Sequence, residues 1–236
     1  MEAFLTFSIA VHVGAALLAL VVMPLLFLGP KGTPLHIRAG KVLVVVSIVL
    51  LVAAAAIVLN PEYVERLNRD AVRYGWSGHV SRALFLWIWG YFFYLFFSGL
   101  RVWFRWGRSK DFGAIDVGLT GVGLLLGGAG TVISVARVVD GPLDWPRLLP
   151  MSATMLVFAA LDIRSFRRPF RTFREAYFAH GSRMYFAWWM LLMGPLLRNA
   201  EWGATESIVS SLGVVAAYVL LWQWWSRQLG ERASVA

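Results

Sequence analysis

Residues Phe4–Leu28 read FLTFSIAVHVGAALLALVVMPLLFL, a run with no Asp, Glu, Lys or Arg. Apolar residues follow one another without period-two alternation, so the run is not a half-buried strand. A hydrocarbon core about 30 Å thick takes about 20 residues of helix to cross. Only a helix satisfies its own backbone hydrogen bonds there without partners. The run is too long for the core of a cleavable signal and no basic segment precedes it, so it is expected to stay as a membrane span.

The rest of the chain repeats this pattern. Over 236 residues it is 59% hydrophobic and 15% charged, with mean hydropathy +0.66. A soluble domain is about a quarter charged. Seven apolar runs follow, near 4–28, 38–59, 79–100, 113–136, 148–164, 184–200 and 207–227. The expected fold is all-α: a polytopic transmembrane helical bundle of about seven spans, residues 1–236 forming one transmembrane domain. The segments 29–41, 101–111 and 164–183, with the C-terminus, carry 15 of the 22 Lys and Arg. The opposite loops and the N-terminus hold eight of the thirteen acids. By the positive-inside rule the N-terminus lies outside and the C-terminus in the cytoplasm. The net charge of +9 then reports topology and anionic lipid at the cytoplasmic face, and no nucleic acid is expected.

Between the second and third runs, Asn60-Pro61-Glu62 has the form of a helix start, with a cap, proline at the first position and an early acid. Tyr63, Val64, Leu67 and Ala71 follow at helical spacing, which predicts a short amphipathic helix on the outer surface. Trp76, Trp145 and Trp202 on one side and Trp103, Trp106 and Trp225 on the other read as interfacial belts. In the fourth run, Gly123 and Gly127 form a G-x-x-x-G spacing that admits close approach of a neighbour. In the third run the aromatic residues from Phe85 to Phe97 cover every face and read as packing bulk, with a porphyrin or quinone lining on one face as the alternative.

Cysteine is absent, which removes disulfides, thiolate metal sites, iron–sulfur clusters and covalent c-type haem from this chain. No H-E-x-x-H, P-loop or G-x-S-x-G signature supports hydrolysis or phosphoryl transfer. What remains is four histidines. His12 lies two turns into the first run and His79 opens the third from the same side. His36 opens the second run from the other side, and His180 immediately precedes the sixth there. Two facing imidazole pairs are what two b-type haems stacked across a bilayer need, with His12/His79 and His36/His180 as the axial pairs. Arg38 and Arg183 beside the inner pair fit haem propionates or lipid phosphates equally. Asp116 and Asp162, near the inner face, read as interfacial ion pairs or as a proton relay with His36 or His180.

The turn Gly29-Pro30-Lys31-Gly32-Thr33-Pro34-Leu35-His36-Ile37-Arg38-Ala39-Gly40-Lys41 resembles the "G-P…K-G-T-x-x-H-R-x-x-G-R" element of a bacterial integral-membrane family, domain of unknown function 2306 (DUF2306). His180-Gly181-Ser182-Arg183-Met184 resembles its "H-x-x-R-M" element, and His12-Val13-Gly14 its opening histidine–glycine region. This chain departs in having Ile37 directly after the histidine, with Arg38 one place later. The resemblance implies a multi-pass protein of the bacterial inner membrane with recurrent histidines at 12, 36, 79 and 180. It implies no reaction. Three functions stay open: electron transfer through haem b, a proton-coupled transporter or small-molecule binder, and a non-catalytic subunit or assembly factor with a membrane-complex partner or homo-oligomeric state.

Overall fold

The computed structural model describes residues 2–30, 33–66, 78–108, 112–140, 148–199 and 204–233. All the regular structure described is helical: α1 Glu2–Leu28, α2 Pro34–Leu59, α3 Gly78–Arg108, α4 Ala114–Asp140, α5 Leu148–Arg167, α6 Phe173–Asn199 and α7 Ala204–Ala233. Among the described residues, five stretches are long and apolar enough to cross a membrane: Glu2–Leu28, Pro34–Leu59, Arg82–Trp106, Ala114–Val135 and Leu149–Arg167. Their outward faces carry large apolar side chains such as Val21, Leu25, Val52, Leu125 and Val132, each more than 60% exposed. A soluble protein does not leave faces of that kind in water, so the multi-pass membrane reading holds.

Two compact units divide the chain. The first comprises residues 1–93 with 190–192, the second 94–189 with 193–236. In the first, α1 packs along α2. Gly29 stops α1, its N–H donating to the Leu25 carbonyl at 2.8 Å. Thr33 then caps α2, accepting the His36 N–H at 3.3 Å, and Pro34 stands in the first turn, where no N–H is needed. The expected cap at Asn60 forms too, its side chain accepting from the Glu62 N–H at 2.9 Å. Residues 61–66 are helical, and Tyr63 turns inward onto Leu5, Ile57 and Phe85 instead of lying flat on the surface. Leu67 and Ala71 lie outside the described residues, as do Trp76, Trp145 and Trp202.

In the second unit, α4 packs along α5. The G-x-x-x-G pair is filled by side chains and not by a bare backbone. A Cβ on Gly123 would stand 2.6 Å from the Tyr94 ring, and one on Gly127 3.0 Å from Leu156. The α6 helix begins at Phe173, well before the expected start at 184. An apolar count misses that beginning, because Phe173–Arg183 contains two arginines and a glutamate. Trp225 corrects the belt assignment: it is buried, its ring seated on Gly181 and edge-on to Tyr177.

Candidate functional site

Helical spacing builds one polar locus in the second unit. On α3, Tyr94, Ser98, Arg101 and Arg105 follow at intervals of four, three and four, and so share a face. Asp116, Thr120 and Gly123 do the same on α4. From α5 come Phe158, Asp162 and Ser165, and from α6 Ala179 and Arg183. Gly123 has no side chain because the phenol ring of Tyr94 occupies that space on its way to α5.

Asp162 and Arg183 are the centre of this locus. An Asp162 oxygen accepts from the Arg183 guanidinium at 2.5 Å, and its second oxygen accepts from the Tyr94 hydroxyl at 2.9 Å. Arg183 is 1% exposed. It also donates to the Ala179 carbonyl at 2.7 Å, and its guanidinium lies over the Phe158 ring at 5.0 Å. A buried charge persists only when it is paired and its hydrogen bonds are met, and these contacts do that. The sequence places Asp162 beside Arg164, but Arg164 is exposed and the partner is Arg183, one helix away.

A second pair lies nearby. Arg101 grips Asp116 in a two-pronged contact, Nε at 2.9 Å and Nη2 at 2.7 Å. Asp116 also accepts the Gly113 N–H at 2.9 Å, which ties the charge to the start of α4. Arg105 reaches the Asp162 side through Ser165 and lines the space between the pairs. It donates to the Ser165 hydroxyl at 3.1 Å and to the Ser165 carbonyl at 3.3 Å, and that hydroxyl in turn donates to the Asp162 carbonyl at 2.7 Å. Between the pairs is a void of about 10 Å³ lined by Ser98, Arg101, Arg105, Asp116, Thr120 and Asp162. That is room for one water. The buried Nε–H of Arg105 has no acceptor among the described residues.

Three guanidinium groups and two carboxylates thus meet at this locus. Sequence reasoning singled out Asp116, Asp162 and Arg183 but missed Tyr94, Arg101, Arg105 and Ser165. The signal for the first three is the stripe on α3, obscured because the aromatic run around Tyr94 reads as bulk and Arg101 and Arg105 as a basic loop.

The histidines are distributed differently. His12 donates Nδ1–H from α1 to the Leu50 carbonyl of α2 at 3.3 Å. His180 lies inside α6, not before it, and donates Nδ1–H to the Gly99 carbonyl of α3 at 2.9 Å, its ring beside Trp103. A carbonyl only accepts, so both rings carry the proton on Nδ1. Gly99 makes this approach feasible: a Cβ there would meet the Met184 side chain at 2.8 Å and the Arg183 Cβ at 3.1 Å. His36 is half-buried in the first turn of α2, and Arg38 is exposed. The His79 side chain lies outside the described residues. His12 and His36 belong to the first unit and His180 to the second. Among the described residues, no three His, Asp or Glu side chains gather as a metal ion would need. Comparison of the chain with protein-family models, curated proteins and solved structures finds no match.

Proposed function

We propose that this is a multi-pass protein of a bacterial inner membrane, N-terminus outside and C-terminus cytoplasmic, that moves protons through a polar locus of its helical bundle. The working part is the Asp162–Arg183–Tyr94 and Asp116–Arg101–Arg105 locus. The observation that carries this reading is the water-sized void lined by both carboxylates, with a buried donor of Arg105 lacking a protein acceptor. Ionisable groups at membrane depth are costly, and those that persist commonly mark ion or proton pathways. In this proposal a water held in the void links Asp116 to Asp162, and Tyr94 adds a hydrogen-bonding group from α3.

Proteoliposomes loaded with a pH-sensitive dye, under an imposed potential, test this. The wild-type chain is expected to acidify the lumen faster than empty liposomes, and Asp116→Asn and Asp162→Asn to abolish the difference. Wild-type flux equal to that of empty liposomes, or full flux in both variants, would sink the proposal.

A second reading, haem b ligation by the histidine imidazoles, draws support from one observation. His12 and His180 each anchor Nδ1 on a backbone carbonyl, the arrangement that orients the Nε2 of a ligating imidazole. It predicts a Soret band and a dithionite-reducible α-band in the purified protein. A colourless protein from haem-replete cells would reject it.

A further inference from the structure

Helices α5, α6 and α7 enclose an open apolar groove of about 500 Å³. On α5 its wall runs from Ala153 to Leu161, about 12 Å of helix. On α6 it runs from Phe178 to Phe186, and Tyr218 closes it from α7. The stripe that lines it continues on both main walls into arginine. On α5, Val157 and Leu161 are followed at the same spacing by Arg164, and Arg168 comes just past the end of the helix. On α6, Phe178 is preceded at helical spacing by Arg174, and Arg171 stands just before the helix begins. All four arginines are exposed, as is Arg167, and Arg174 lies over the Phe178 ring at 5.8 Å, at the edge of the groove. Residues 163–175 hold these five arginines against one acid, Glu175. That carboxylate caps α6 by accepting the Arg171 backbone N–H at 2.7 Å. Among the described residues none of the five arginines makes an ion pair with a carboxylate.

We infer that this groove seats one acyl chain of an anionic phospholipid, with Arg164, Arg168 and Arg174 holding its phosphate. The occupant follows from the order of chemistry along the walls: hydrocarbon-lined for about 12 Å, then guanidinium on both sides. Guanidinium matches phosphate by paired N–H donors. An uncharged lipid leaves the arginines unmatched, and a free phosphate leaves the groove unfilled. The inference is independent of proton coupling and of haem.

Native mass spectrometry of the full chain, delipidated in detergent and titrated with phosphatidylglycerol or with phosphatidylcholine of the same acyl chains, tests it. Basic side chains near a membrane each favour anionic lipid, so the wild type is expected to retain phosphatidylglycerol at least about fivefold better. The triple variant Arg164→Gln/Arg168→Gln/Arg174→Gln brings the two lipids to parity, leaving phosphatidylcholine binding unchanged. Val157→Trp fills the groove and weakens both lipids by about tenfold, the equivalent of about two buried methylene groups. Val157 is 58% exposed, so the larger ring does not disturb the core. Leu161→Trp, also exposed, repeats the test should the first variant fail to fold. Equal retention of the two lipids by the wild type, a preference that survives the triple variant, or binding indifferent to both tryptophans would each overturn the inference.

Discussion

Replacing Asp162 by Asn keeps the shape of the side chain and removes its charge, leaving the Arg183 guanidinium buried without a counter-ion. Asp162 accepts one charge-assisted bond from Arg183 and one from Tyr94, and removing one member of a buried pair costs about 3–5 kcal/mol. For a chain of this length each kcal/mol moves the midpoint by about 2–4 °C. The single variant is therefore expected to melt about 6–20 °C lower. The double variant Asp162→Leu/Arg183→Met removes both charges and recovers most of the loss, because an apolar pair replaces an ion pair at little net cost. What it does not recover is the Tyr94 hydroxyl, now buried without an acceptor at about 1–3 kcal/mol. Adding Tyr94→Phe is expected to bring stability close to wild type. Thermal unfolding in one detergent, read by circular dichroism over the whole series, measures each step and the coupling between sites. A double variant no more stable than the single ones would refute the reasoning, since the cost would then not come from a stranded charge. The series also separates structure from function: a triple variant that is stable but transports no protons assigns the locus to activity.

Two glycines extend the test to packing. Gly123→Ala places a methyl group 2.6 Å from the Tyr94 ring and is expected to cost about 1–3 kcal/mol. Tyr94→Ala in the same background recovers part of that loss, and a Gly123→Ala variant as stable as wild type would argue against a phenol seated there. Gly181→Ala meets Trp225 at 2.8 Å, whereas Gly128→Ala meets nothing within 4 Å. The first is expected to lower the melting temperature and the second to leave it level or slightly raised, through the better helix propensity of alanine; equal effects would contradict the placement of Trp225.

Most of the architecture was legible because membrane spans announce themselves by length and hydrophobicity, properties that need no partner to be read. Each of the seven apolar runs corresponds to a helix, and Asn60 marks a helix start through local chemistry alone. The misplaced start of α6 has one cause. A boundary between loop and helix was drawn wherever charge appeared, so His180 and Arg183 were placed before a helix that in fact begins at Phe173. Charge ends a hydrophobic run, but it does not end a helix, because a neighbouring helix supplies the counter-charge.

The same reasoning explains why the histidines stood out and the working locus did not. A histidine in an apolar run is conspicuous by itself, whereas Arg183 gains its meaning only from Asp162, 21 residues away, and Tyr94 only from Asp162, 68 residues away. Arg101 and Arg105 look like the positive rim of a span until the faces of α3 and α4 are overlaid. The faces themselves are written in the sequence: Tyr94, Ser98, Arg101 and Arg105 on one helix repeat the spacing of Asp116, Thr120 and Gly123 on the next. Two polar stripes of matching period and opposite charge, on consecutive spans, are a signal that a count of apolar residues discards. The omission of a side chain at Gly123 belongs to that stripe as much as the charges do, since it is the space through which Tyr94 reaches Asp162.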